Sequence, residues 1–221
     1  RQEAEIRGIR QAARNAADSQ ALLATAEGAM GELTNILQRL RELAVQAASG
    51  TVSAAAHDAI DSEAQALEAE ITRIRNDTTW AGIQLLNAGS NSGVFTFHIG
   101  PDGTDTITHS IGDFKVTSAE ASDPTNISGG LTTRTAAVTY LGKVDEIISK
   151  GGTERQAIGA TMNRLDYTMA NLSNMATNLS LAKGRIEDAD FAAESANLAR
   201  VQVLQQLSLI HISEPTRRRG I

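Results

Sequence analysis

Between Ile9 and Ala47 apolar residues return at seven-residue intervals: Ile9, Ala16, Leu23, Met30, Leu37 and Ala44. Ala12, Ala26, Leu33, Leu40 and Ala47 follow three places behind most of them, and the positions between are rich in Arg, Glu and Gln. A strict repeat of seven drifts off the period of a straight helix unless that helix packs lengthwise against partners, as in a coiled coil. The pattern therefore predicts one helix from about Glu3 to Ala48, roughly 65 to 70 Å long at about 1.5 Å per residue. Gly8, Gly28 and Gly31 are its weak points, and Ser49-Gly50 supplies a stop.

The partners follow along the chain. Ser53 is suited to cap a second helix running to about Asn76, with a seam of Ile60, Ala64, Leu67, Ile71 and Ile74. A short connection makes it an antiparallel neighbour of the first. Asp77 to Gly82 has turn chemistry, and Ile83, Leu85 and Leu86 are expected to tuck in beside Trp80. After the Gly/Ser/Asn-rich run 87–93, Val94, Phe95, Phe97 and Ile99 read as a strand. Gly100-Pro101-Asp102-Gly103 reads as a turn, and Thr106, Ile107, Thr108 and Ile111 as the returning strand. Residues 117–133 are polar, hence a surface loop. Helical signal resumes near Thr135 and is expected to pause at Gly151-Gly152, restarting at Thr153 with Gln156 as a capping box. The last seam is Ile158, Met162, Leu165, Met169, Leu172, Ala176, Leu179, Lys183 and Ile186, the lengthwise partner of the first helix. The expected fold is mainly α: an elongated antiparallel bundle of long coiled-coil-like helices with a small β-hairpin subdomain. Its rod core is Ile9, Leu23, Met30, Leu37, Leu40, Ile60, Leu67, Ile71, Ile74, Ile158, Leu165, Leu172 and Leu179.

Composition sharpens this picture. Only 3% of the 221 residues are aromatic, which disfavours a bulky globular core and suits close helix approach along a rod. A net charge of -6 without a concentrated basic face disfavours nucleic acid. With no cysteine there is neither a disulfide nor a thiolate metal site. No apolar run reaches membrane-spanning length, and no charged-then-apolar signal opens the chain. Since Arg1 already reads as helix interior, the natural N-terminus is expected to lie upstream.

Candidate chemistry is sparse. His57, His98, His109 and His211 form no HExxH pattern and read as surface or hairpin residues; no catalytic or metal-binding residue and no cofactor is expected. Glu187, Asp188 and Asp190 read as negative charge at the start of a further helix, where the dipole favours it. GxSxG elbows and Gly-rich phosphate loops are absent.

Four stretches carry a resemblance: Ala13 to Gln20 (ARNAADSQ), Thr25 to Met30 (TAEGAM), Leu37 to Thr51 (LQRLRELAVQAASGT) and Leu179 to Gln206 (LSLAKGRIEDADFAAESANLARVQVLQQ). In this order, at opposite ends of one chain, they resemble bacterial flagellin. The resemblance implies a structural, non-enzymatic subunit whose terminal helices pair around a variable middle and which polymerises into the flagellar filament for swimming. It implies an extracellular location reached without a cleaved signal peptide, and as partners other flagellin subunits in a homopolymer, flagellar export chaperone and cap proteins, and the innate receptor Toll-like receptor 5. Neither nucleic acid nor membrane is implied. A hook-filament junction protein of the same superfamily is the nearer alternative. A flagellin-framed metalloprotease is the more distant one, without an HExxH and with too little chain between Gly112 and Arg134 for a folded insertion.

The resemblance divides the chain into rod helices plus hairpin (1–111), a short variable loop region (112–134), a C-terminal rod helix (135–185) and the start of a C-terminal inner-core helix (186–206), most of both terminal segments being missing. Residues 207–221 (LSLIHISEPTRRRGI) depart from the family; Leu207 to Arg217 resembles the translation of a transposase sequencing adapter and is set aside as an artefact. In LQRLRELAVQ, Leu37, Leu40 and Ala44 face the bundle, while Gln38, Arg39, Glu42, Leu43 and Gln46 are expected off the seam. Carried over by motif, Arg39, Leu43 and, less closely matched, Glu63 are the subunit and receptor interface, with Gln38, Glu42 and Gln46 adjoining. The stretch is retained here, which implies receptor binding.

Overall fold

The structure, a computed structural model, describes residues 2–87, 93–112, 127 and 130–213, without the side chains of residues 188–190 and 210–213. In chain order it consists of α1 (Gln2–Ala47), α2 (Ala54–Asp77), two short strands β1 (Thr79–Trp80) and β2 (Ile83–Gln84), the hairpin strands β3 (Val94–His98) and β4 (Thr106–Ser110), and α3 (Arg134–Ser213).

Both registers of the heptad are buried along α1: Ile9, Ala16, Leu23, Met30, Leu37 and Ala44, and with them Ala12, Ala26, Leu33, Leu40 and Ala47. Ser19 fills the gap in the second register; it is buried, and its hydroxyl donates to the Asn15 carbonyl at 2.6 Å. A third stripe runs beside them, with Leu22 and Leu43 buried and Ala29 and Ile36 packed on the core. It exists because α1 packs against α2 and the hairpin as well as α3, and a helix with more than one neighbour buries a wider arc than a single seam.

Polar pairs set the direction of the α1–α3 packing. Arg41 meets Asp145 at 2.7 Å, Glu27 meets Arg155 at 3.5 Å, Gln20 meets Asp166 at 2.8 Å and Glu3 meets Lys183 at 3.6 Å. As the α1 position falls from 41 through 20 to 3, the α3 position rises by equal intervals from 145 through 166 to 183, and Glu27–Arg155 reaches across one turn, so the helices run antiparallel in one register. Of the expected seam, Ile158, Leu165 and Leu172 are buried, while Met162, Met169, Ala176 and Leu179 pack partly buried on the core. Ile186, one turn past the Glu3–Lys183 pair, is 53% exposed and is not part of the buried seam.

α3 is one unbroken helix, which corrects two expectations. There is no pause at Gly151-Gly152 and no cap at Thr153, whose hydroxyl instead donates to the Ser149 carbonyl at 3.1 Å. Each glycine costs about 1 kcal/mol of helix propensity. Ile147 and Ile158, fully buried on either side, hold the helix through. Nor does a helix start at Glu187: the stretch contains no proline, α3 continues, and Glu187 pairs with Lys183 at 3.4 Å. The start of α3 lies instead at Thr133, whose hydroxyl accepts from the Ala136 N–H at 3.2 Å.

Ser53 caps α2 as expected, accepting from the Ala56 N–H at 3.3 Å. Ile60, Ala64 and Ile71 are buried, and Leu67 and Ile74 pack partly buried beside them. The turn after α2 closes a two-residue ribbon through Ala81 and Gly82, both at positive φ, and Leu85 and Leu86 are fully buried below it. In the hairpin Phe95, Phe97, Ile107 and His109 face inward, and Val94, Thr96, His98, Thr106 and Thr108 face out. Its base is closed by the Ile111 N–H donating to the Gly93 carbonyl at 2.8 Å. Gly93 has φ +74, and a Cβ there would lie 2.2 Å from the Ile111 oxygen, so no other residue fits.

The assignment of His57 to the surface is corrected as well. It is buried on α2, with Nδ1 2.7 Å from the Leu131 carbonyl, to which it donates, while one turn on Asp61 accepts from the Leu131 N–H at 2.5 Å. These two side chains grip both polar groups of one residue, and the Leu131 and Ile127 side chains are fully buried. The expected loop 117–133 thus includes two core residues; its residues 117–126 and 128–129, like 88–92 and 214–221, lie outside the described residues.

Candidate subunit and receptor interface

The residues singled out for recognition sit where α1 ends and α2 begins, brought together by the turn at 48–53. The Arg39 guanidinium donates to Glu63 Oε1 from Nη2 at 2.7 Å and from Nε at 3.1 Å, and to Glu42 Oε2 from Nη1 at 2.9 Å. All three side chains are about half exposed or more, with Gln38 and Gln46 exposed beside them. Glu63 and then Glu42 hold the Arg39 pKa above its ordinary value, so the cation is permanent at any working pH. Solvent screens exposed pairs of this kind, so the network fixes the shape and charge of a surface more than it stabilises the fold.

Leu43 does not lie on that surface. It is one turn from Arg39, yet only 1% exposed, because it belongs to the third stripe of α1 and points into the core. Its expected place off the seam is therefore corrected: a seam read against one partner assigns this position to solvent, and the packing of α1 against both α2 and α3 encloses it. A second charged group on α2 escaped sequence reading, with Arg73 donating to Glu70 at 2.6 and 2.9 Å and to Asp77 at 3.0 Å. Spacings of three and four on a helix face were its available signal.

The other surface of note is the distal half of α3. Ile186, Phe191, Leu198, Val201, Val203 and Leu204 are each more than half exposed. Phe191 is 75% exposed, an unusual state for a large aromatic side chain in water. Among the described residues no three His, Cys, Asp or Glu side chains converge to hold a metal ion. Among the described residues no helix is long and apolar enough to cross a membrane.

The described residues thus form an antiparallel rod of α1 and α3 that continues into the distal part of α3. The bacterial flagellin N-terminal helical region matches residues 1–91, and the bacterial flagellin C-terminal helical region matches residues 141–215. Flagellin of Halalkalibacterium halodurans is 34% identical over 214 residues, covering 93% of this chain and 74% of that one. Flagellin of Bacillus subtilis is 33% identical over 239 residues, covering 92% and 76%. The crystal structure of Bacillus cereus flagellin superposes with a TM-score of 0.63 at 32% identity, covering 77% of this chain and 94% of that one. The chain belongs to the bacterial flagellin family, a family of flagellar filament subunits. A chain described as a flagellar hook-associated protein from Vibrio parahaemolyticus shares the fold with a TM-score of 0.67, but at 15% identity that likeness is one of fold alone.

Proposed function

We propose that this flagellin polymerises outside the cell into a swimming filament, and that the surface of Gln38, Arg39, Glu42, Gln46 and Glu63 meets neighbouring subunits and Toll-like receptor 5. What supports the assembly reading is the match to both flagellin helical regions, residues 1–91 and 141–215, together with the exposed apolar side chains Ile186, Phe191, Leu198, Val201 and Leu204 on distal α3. Exposed apolar side chains of this kind offer a surface for a partner to cover, and in a filament the upstream terminal segment and neighbouring subunits would supply that cover. The reading extends to export without a cleaved signal peptide: an export chaperone would shield the same face before assembly, and cap proteins would receive the subunit at the growing end.

The test of assembly is to express the complete reading frame in a bacterium lacking its own flagellin. Swimming and filaments visible by electron microscopy are expected, and both should be lost in a variant carrying Phe191→Asp and Leu198→Asp. Normal filaments from that variant would overturn the reading. For the receptor, Arg39→Ala removes the centre of the charged network while leaving the core intact. A clear rightward shift of the dose response in receptor reporter cells is expected with an unchanged circular dichroism spectrum. An unchanged dose response would refute the assignment. Leu43 enters this site only by packing beneath it.

A further inference from the structure

The turn joining β3 to β4 carries a chemistry that neither the rod nor its assembly uses. Residues 101–104 are exposed, and Asp102 is followed directly by glycine. The turn is closed by the Asp105 N–H donating to the Asp102 carbonyl at 3.2 Å. Among the described residues the Gly103 N–H has no hydrogen-bond partner, and the Asp102 carboxylate is held in neither a hydrogen bond nor an ion pair. A Cβ at Gly103 would meet nothing within 4 Å, so open space surrounds the peptide that links the two residues. An amide nitrogen and a carboxyl carbon four bonds apart are thus both uncommitted, with no side chain on residue 103 to obstruct their approach.

We infer that Asp102 is a site of spontaneous isoaspartate formation, a covalent modification localised to the hairpin tip. The Gly103 nitrogen gives up its proton and attacks Asp102 Cγ of the carboxylic acid form. The N–Cγ bond forms, a Cγ–O bond breaks and one water leaves, closing a five-membered succinimide. Water then adds back. Opening at the main-chain carbonyl leaves the peptide running through Cγ as isoaspartate, and opening at Cγ restores aspartate. No oxidant, reductant or co-reactant is needed beyond water.

The two aspartates followed by serine are built against this reaction, and Asp58-Ala59 and Asp188-Ala189 likewise lie within helices. Asp18-Ser19 and Asp61-Ser62 lie inside α1 and α2, where the following N–H is committed to the helix ladder. The Asp61 carboxylate is further committed to the Leu131 N–H and, at 2.7 Å, to the Gln65 amide. The modification has a structural reader as well. Pro101 packs against α1 at Gly8, with its Cβ 3.5 Å from where a Gly8 Cβ would stand. An extra backbone methylene one residue on alters how the tip meets the helix.

The test ages the full chain for weeks at neutral pH and physiological temperature, then maps its peptides by isoaspartyl methyltransferase labelling. Gly103→Ala is run in parallel; residue 103 is not at positive φ and has room for a methyl group, so this variant folds. The expected result is label confined to the peptide containing Asp102, accumulating about tenfold more slowly in Gly103→Ala because the added Cβ hinders ring closure. Absence of label at Asp102, equal labelling of Asp18 or Asp61, or an unchanged rate in Gly103→Ala would each overturn the assignment.

Discussion

Leu165 and Leu172 stand one heptad apart on α3, face α1 in the same register, and should respond differently to the same truncation. Leu165 is fully buried in the main core with Leu22 and Leu23. Leu172 is 4% exposed in a smaller cluster with Ile9 and Ala12, at the edge of an open groove of about 640 Å3 lined by Ile9, Arg10, Ala13, Ser173 and Ala176, among others. Leu→Ala removes about three methylene equivalents, or about 2.4 kcal/mol at ~0.8 kcal/mol each. The residual cavity adds to that only where it stays closed. At Leu165 a remaining void of about 50 Å3 would cost about 1.2 kcal/mol more at ~24 cal/mol per Å3, giving about 3.5 kcal/mol in all. At Leu172 the vacated space opens into the groove, the cavity contribution vanishes, and about 2.4 kcal/mol is expected. Urea melts followed by circular dichroism at a common denaturant slope measure both. A Leu172→Ala cost equal to or above that of Leu165→Ala would refute the reasoning, as would a loss below about 0.5 kcal/mol for Leu165→Ala.

Three further expectations rest on single sites. Gly152→Ala, at an exposed position of α3 with nothing within 4 Å of the new methyl group, should raise stability by about 0.5 to 1 kcal/mol in a thermal melt. His109 gives a pH dependence: Thr161 donates to the Ala157 carbonyl at 2.9 Å, so His109 Nδ1 must donate to the Thr161 oxygen at 3.0 Å, leaving Nε2 buried and unpartnered. Burial lowers its pKa against the opposing pull of Glu154. Its contribution to stability is present above the ordinary histidine range and lost as pH falls through it toward the folded value; His109→Gln should flatten that part of a stability-pH curve, and an unchanged curve would count against it. Burial raises the Glu68 pKa, although Tyr140 donates to its carboxylate at 2.7 Å, so the stability it contributes is present below the ordinary carboxylate range and lost as pH rises through the folded value. Glu68→Gln keeps an acceptor for Tyr140 and should be neutral or stabilising at neutral pH; a loss above about 1.5 kcal/mol in urea melts would contradict this.

What was legible in the sequence was whatever a single periodicity encodes. The heptad from Ile9 to Ala47 implied a long helix and an unseen lengthwise partner, and the structure has both, because each seam position contributes to one continuous interface and errors at single residues do not shift its register. Capping was legible at Ser53, where a local side chain and a local N–H suffice, but not at Thr153, where Gly151-Gly152 looked like a stop until packing of Ile147 and Ile158 on α1 overrode local propensity. Leu43 and His57 mark the same boundary from the other side. The environment of Leu43 depends on a second neighbour of α1, and that of His57 on a carbonyl 74 residues away, neither of which any local pattern specifies. The candidate interface inherits this division. Arg39 and Glu63 were named separately from motifs, but that they form one charged element depends on the α1–α2 turn, and a residue placed beside them by helical spacing alone turned out to be part of the core beneath. Receptor recognition at this surface should therefore follow charge more than hydrophobicity: Arg39→Glu ought to weaken activation beyond Arg39→Ala, because it sets three carboxylates together where a cation had joined two. Equal loss from the two substitutions would mean that the receptor reads the shape of this surface and not its sign.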